Sequence, residues 1–288
     1  MAGGLLSPSQ VTPSQAQVEA DVDRALTEDL GEGDVTAALL PEAIEHGYVI
    51  ARESAIIAGR PWFDACFTRL DPAWRVQWSV AEGERVHAQT FVCRFQGNSR
   101  ALVSAERCAL NFLQTLSATA TRTAEFVAAI ADTGARILDT RKTLPGLRTA
   151  QKYAVRIGGG SNHRLGLYDA VMLKENHILA AGSIAAAAAT ARARYPRLPL
   201  IIEVESLDEL RQALDTDCTR IVIDDFSLAD MREAVRIAAG RIPLEVSGGV
   251  DLQRVREIAL TGVDCISVGA LTKHVHAIDF SMRLGDHA

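Results

Sequence analysis

The sequence has few of the features that staple a chain or send it elsewhere. Its 288 residues include five cysteines, Cys66, Cys93, Cys108, Cys218 and Cys265, widely spaced and with no C-x-x-C pair. That spacing excludes a disulfide framework and a thiolate zinc site, and it suits a reducing compartment. The 21 glycines are too few for a collagen-like repeat. No basic residue precedes Arg24 and no long apolar run stands near the start, so no secretory signal is expected. The most apolar stretch, 178–190, is alanine-rich, broken by Gly182 and Ser183, and too short to cross a bilayer. Basic residues are in deficit, 30 against 36 acids, for a net charge of −6. A global attraction to nucleic acid or to an anionic membrane is therefore not expected. The expectation is a soluble, cytoplasmic protein.

What remains is an ordinary globular composition, 48% hydrophobic and 23% charged, which excludes a disordered chain. The length predicts about two domains. Charge is unevenly spread. Between Arg141 and Lys174 lie Arg141, Lys142, Arg148, Lys152, Arg156, Arg164 and Lys174 against one acid, Asp169. A cationic island in an acidic chain points to a small anionic ligand. Arg148, Lys152 and Arg156 recur every fourth residue and read as one solvated helix face. The other four stand beside strand and loop signals.

Two rhythms follow one another. Residues 1–15 read as a loose tail and 19–30 as a helix stopped by Gly31-Glu32-Gly33. From Gly47 to Gly97 the pattern is strand-like, and 103–131 reads as a proline-free helix. This half predicts an α/β sandwich. From Ala135 onward, short apolar runs at 136–140, 170–174, 200–204, 220–224, 243–247 and 265–269 alternate with helical segments. That alternation predicts a parallel sheet, closed as a barrel or doubly wound. No G-x-G-x-x-G follows the first run, which disfavours a dinucleotide fold.

Each run ends in polar residues: Asp139-Thr140-Arg141-Lys142, Lys174-Glu175-Asn176, Glu203, Asp224-Asp225, Ser247-Gly248-Gly249 and Gly269. In an α/β barrel such ends converge on one mouth, where chemistry is done. Ser247-Gly248-Gly249 and Gly269-Ala270 fit a phosphate held by backbone N–H groups between the last two loops. Glu203 and Asp224 fit a Mg²⁺ ion shared with substrate oxygens, or else ion pairs to nearby Lys and Arg. The run IVIDD (221–225) is similar to a pyrophosphate–ribose motif, but FSLADM follows in place of its Thr/Gly-rich loop, so that fold is rejected.

EDLGEGDVT (28–36), ERCALNFLQTLSATAT (106–121), LDTRKTLPGLR (138–148), KYAVRIGGGSNHRLGLYDAVMLKENH (152–177), IIEVES (201–206), LEVSGGV (244–250) and ISVGALT (266–272) together resemble one family, quinolinate phosphoribosyltransferase. The resemblance covers about Glu28 to Thr272. It implies an N-terminal α/β sandwich over 1–117, an incomplete barrel of about seven strands over 118–272, and a segment 273–288 that returns to the first domain. It implies conversion of quinolinate and phosphoribosyl pyrophosphate to nicotinate mononucleotide, pyrophosphate and CO₂, with Mg²⁺ at Glu203 and Asp224. Arg141, His163, Arg164 and Lys174, with Thr140, would hold the dicarboxylate. Lys142 would reach phosphate or carboxylate. Arg107 would be donated across a homodimer. Two departures stand out: Asp225 where members commonly have Asn, and Lys273-His274 where they commonly have His-Ser. Two other readings share the architecture, a related protein linked to molybdenum transport and a non-catalytic phosphate-binding barrel.

Overall fold

The computed structural model describes residues 11–285. Most of the expected tail lies outside that range. Helix α1 spans Gln15–Leu30 and is capped by Ser14, whose side chain accepts from the Gln17 N–H. Strands β1 (Ile44–Ala51) and β2 (Ala55–Ile56) lead to helix α2 (Arg60–Leu70). Strands β3 (Arg75–Trp78), β4 (Arg85–Val86) and β5 (Phe91–Asn98) follow, then the 31-residue helix α3 (Ser99–Ala129). The strand-like reading of 47–97 missed α2. Gly59 and Pro61 start it, since proline is tolerated in the first helical turn, and its aromatic residues imitate a strand.

The second series opens with β6 (Arg136–Leu138) and α4 (Arg148–Ile157). Then come β7 (Val171–Leu173), α5 (Glu175–Ala181), α6 (Ile184–Arg194), β8 (Leu200–Val204), α7 (Leu207–Leu214), β9 (Arg220–Asp224) and α8 (Leu228–Ala238). It closes with β10 (Leu244–Ser247), α9 (Val255–Ala259), β11 (Cys265–Ser267), α10 (Ala270–Lys273) and β12 (Phe280–Leu284).

The chain forms two compact units. One takes 11–124, 144–159 and the residues from 274 onward. The other takes 125–143 and 160–273. By compactness the division falls inside α3. The 144–159 stretch, expected with the barrel, joins the first unit instead, because Ala150 and Ala154 of α4 bury into its core. Lys152 is fully buried and Arg156 donates to the Val11 carbonyl at 3.0 Å, so that helix face is not the solvated one its spacing predicts.

In the first unit, an antiparallel sheet runs β12-β1-β5-β3. Strand β12 pairs with β1 from Gly47↔Leu284 to Ala51↔Phe280. The core is aromatic: Trp62, Phe63 and Phe67 are fully buried, and Phe67 stacks on Trp74 at 4.9 Å between ring centroids.

In the second unit, six parallel strands run β6-β11-β10-β9-β8-β7. Strands β6 and β11 are therefore neighbours, and among the described residues the β6–β7 pairing is what a closed ring would add. Beside β6, Ser161 makes a single parallel bridge to Leu138 at the seventh position. The glycines at 158–160 before it supply no apolar alternation that could extend the bridge into a strand. Among the described residues no helix is long and apolar enough to cross a membrane.

Candidate active site

Parallel strands in one sheet end on the same side, so the polar run ends of β6 to β11 gather at one mouth. A cavity of about 310 Å³ there is lined by Thr140, Arg141, Lys142, His163, Arg164, Lys174, Glu203 and Ser247, all expected from the sequence. Met172, Val222, Glu245 and Ser267 complete its wall.

Local bonds set the cationic side chains. The Thr140 hydroxyl accepts from the Lys142 N–H at 3.1 Å, and Thr272 donates to the Lys142 carbonyl at 2.8 Å. That loop is thus pinned from both ends. Fully buried Asp139 accepts from Asn162 Nδ2 at 2.6 Å and from the His163 N–H at 2.8 Å, which locks the glycine-rich loop against β6. Arg164 donates to the Ala170 carbonyl at 3.1 Å. Its guanidinium is held below the usual value by burial and by the neighbouring Arg141. Two guanidiniums that repel each other in a pocket are a site prepared for an anion.

The acids stand on the next strand ends. Lys174 Nζ lies 2.8 and 2.7 Å from the two Glu203 oxygens. Burial and the Glu203 charge raise the Asp224 carboxyl, against the pull of Lys174. Glu203 also lines a neighbouring cavity of about 550 Å³ with Glu175, Glu205 and Glu209. The mouth therefore has a cationic side and an acidic side, joined by the Lys174–Glu203 pair. Among the described residues no three His, Cys, Asp or Glu side chains are grouped to hold a metal by themselves.

The glycine loops fit close approach. Gly248 has φ +94°, and a Cβ there would lie 3.0 Å from Asp224 Oδ1. A Cβ on Gly269 would lie 3.0 Å from Lys142 Cδ, so this glycine makes room for the lysine stem. Gly249 has φ +52° and Ala270 opens α10. Arg107 lies exposed on α3, in the first unit.

Sequence reasoning missed Glu245, which is 1% exposed. The available signal was an acid inside the apolar run LEV, with Arg220 at the start of the adjacent strand.

The chain matches the family descriptions "Quinolinate phosphoribosyl transferase, N-terminal domain" over 34–117 and "Quinolinate phosphoribosyl transferase, C-terminal domain" over 119–283. It is 41% identical over 286 residues to a probable nicotinate-nucleotide pyrophosphorylase [carboxylating] of Synechocystis, covering 96% of each. It is 42% identical over 282 residues to a mitochondrial quinolinate phosphoribosyltransferase [decarboxylating] of Nicotiana tabacum, covering 90% of this chain and 80% of the relative. The solved nicotinate-nucleotide pyrophosphorylase of Francisella tularensis superposes with a TM-score of 0.94 at 42% identity, covering 96% of this chain and 99% of that one. With both domains matched and the strand-end chemistry in place, the chain belongs to the quinolinate phosphoribosyltransferase family.

Proposed function

We propose that the barrel mouth is where this chain joins quinolinate to phosphoribosyl pyrophosphate, yielding nicotinate mononucleotide, pyrophosphate and CO₂, a reaction of NAD biosynthesis. One observation carries the reading: Arg141, Lys142, Arg164 and Lys174 converge on a single cavity that Glu203 also lines. Quinolinate is a flat pyridine with two adjacent carboxylates. Guanidinium forks match carboxylates in pairs and a lysine adds a point charge. In this reading Arg141, Arg164 and Lys174, with Thr140 and His163, hold the ring so that its nitrogen faces the ribose. Ser247, Gly248, Gly249, Gly269 and Ala270 offer backbone to the phosphates, and Lys142 neutralises the oxyanion nearest it.

The pyridine nitrogen attacks the anomeric carbon as the bond to pyrophosphate breaks. Positive charge develops on the ribose and negative charge on the leaving group. In this reading the Glu203 and Asp224 carboxylates offset the first and Lys142 the second. The resulting pyridinium draws the electron pair left by departing CO₂, and a proton replaces the carboxylate at that carbon. No protein nucleophile is required.

The donor set fits Mg²⁺. Glu203 and Asp224 are hard oxygen donors at neighbouring strand ends, and a ligand's phosphate oxygens and water would complete the shell. Asp224, raised by burial and by Glu203, is a carboxylate that a cation would relieve. When bound, Mg²⁺ would neutralise charge on the pyrophosphate. In this reading the protein works as a homodimer in which each chain lends Arg107 to the other's site. The five free, buried thiols suit a reducing cytoplasm.

The test is release of radiolabelled CO₂ from quinolinate labelled in its 2-carboxylate, with and without phosphoribosyl pyrophosphate and Mg²⁺. Release that needs both is expected. Ligand binding without release would overturn the reading.

A further inference from the structure

Glu245 lies inside β10, between Leu244 and Val246. It shares a strand face with Ser247, and both line the cavity. Barrel interiors are normally filled by branched apolar side chains. Val222 on the adjacent β9 and Ile201 on β8 do this, packed with Ala170. A carboxylate among them is costly unless it is paired.

Glu245 has two partners. Arg220 Nη1 is 2.8 Å from its Oε2, and His163 Nε2 is 3.4 Å from its Oε1. Burial alone would raise this carboxyl, but the hydrogen bond from His163 and the Arg220 guanidinium hold it below the usual carboxylate range. On the other side of the imidazole, His163 Nδ1 accepts the Arg164 N–H at 2.7 Å. A ring nitrogen that accepts carries no proton, so the ring proton sits on Nε2, facing Glu245. The His163 main chain is separately fixed by Asp139. Arg220, Glu245 and His163 thus form a line of charge and hydrogen bonds up the barrel axis to the cavity wall.

We propose that Glu245 is a positioning residue for the dicarboxylate substrate, acting through His163: it fixes the plane of the imidazole and the nitrogen that bears its proton, while Arg220 balances its charge. The proposal rests on the reading of the cavity as the quinolinate site. It accounts for a buried charge pair where apolar packing would be more stable.

Glu245→Gln keeps the side chain's shape and removes its charge. The expected result is a rise of about tenfold or more in KM for quinolinate, with KM for phosphoribosyl pyrophosphate within about twofold of wild type. A double-mutant cycle with His163→Asn separates positioning from general damage: the double variant should bind quinolinate no worse than His163→Asn alone. Glu245→Asp, which keeps the charge, should recover part of the loss. If Glu245→Gln does not fold, Arg220→Met with Glu245→Met removes both buried charges together, and the same two readouts apply. Unchanged quinolinate KM in a folded variant, equal rises in both KM values, or full additivity with His163→Asn would each overturn the proposal. Wild type assayed alongside distinguishes the failures. An inert wild type removes the quinolinate reading and this proposal with it, whereas an active wild type with an indifferent Glu245→Gln removes the proposal alone.

Discussion

The two units fill their centres in opposite ways. The antiparallel unit packs Trp62, Phe63, Phe67 and Trp74 against one another, with Trp62 Nε1 donating to buried Asp21 at 3.0 Å. In the parallel unit a small apolar cluster, Ala170, Ile201 and Val222, sits with charged and polar side chains, Arg220, Glu245, His163 and Glu203, that line or back the cavity. Close apolar packing stabilises without direction, whereas fixed charges recognise a ligand at a cost to the fold. One unit is arranged for stability and the other for chemistry, and that division can be attacked from either side.

The largest effect is expected at the barrel mouth. Lys174→Ala should lower kcat/KM by about a thousandfold or more while shifting the unfolding midpoint by no more than about 2 °C. Steady-state kinetics and a thermal melt check both halves of that statement. Next come Glu203→Ala and Asp224→Ala. Each should flatten the response of turnover to Mg²⁺ while leaving quinolinate binding largely intact, as read by a Mg²⁺ titration beside a calorimetric binding curve. A response as steep as wild type in both variants would remove the metal assignment.

A third test asks whether the stable unit also serves chemistry. Arg107→Ala should be inactive yet dimeric. Mixed and exchanged with inactive Lys174→Ala, it should recover roughly a quarter of wild-type activity, since half the dimers are hybrids with one intact site of two. No recovery after verified exchange would refute a shared site.

The converse test breaks the aromatic core. Phe63→Ala should cost about 3–5 kcal/mol of stability, with kcat/KM per folded molecule nearly unchanged. Denaturant unfolding beside active-site-normalised kinetics reads both.

The smallest effect concerns pH. Burial raises the Asp64 carboxyl from 3.8 to about 6, against its bond from Trp78. An acid raised in the folded state binds protons there that the unfolded chain has released. Stability from Asp64 is therefore present below the unfolded value and lost as pH rises to about 6. Glu245, lowered by its partners, slopes the other way: its contribution is present above the unfolded value and lost as pH falls through the lowered folded value. Asp64→Asn should match wild type below about pH 4 and melt slightly higher above about pH 6, as followed by melts across that range.

The barrel was readable because its signal is repeated. All six apolar runs proved to contain strands, and eight expected side chains meet in one cavity, since alternation with helices fixes which strand end each polar group occupies. What was not readable depends on contacts distant in sequence. Helix α2 is carried by burial of its aromatic residues under the sheet, which local pattern does not reveal. Lys152 follows a solvated spacing yet is buried, because α4 joins the first unit. Glu245 makes sense only once Arg220 and His163, 25 and 82 positions earlier in the chain, stand beside it.

The return of β12 to β1 has a consequence for synthesis. A growing chain has made every side chain of the cavity by the time Ser267 is added, yet its first-made sheet still lacks a strand. Until Phe280–Leu284 leaves the ribosome, β1 keeps an unpaired edge, the surface through which incomplete proteins pair with one another. A chain cut short just before β12 would carry every side chain of the cavity and leave the β1 edge open to pairing with other chains.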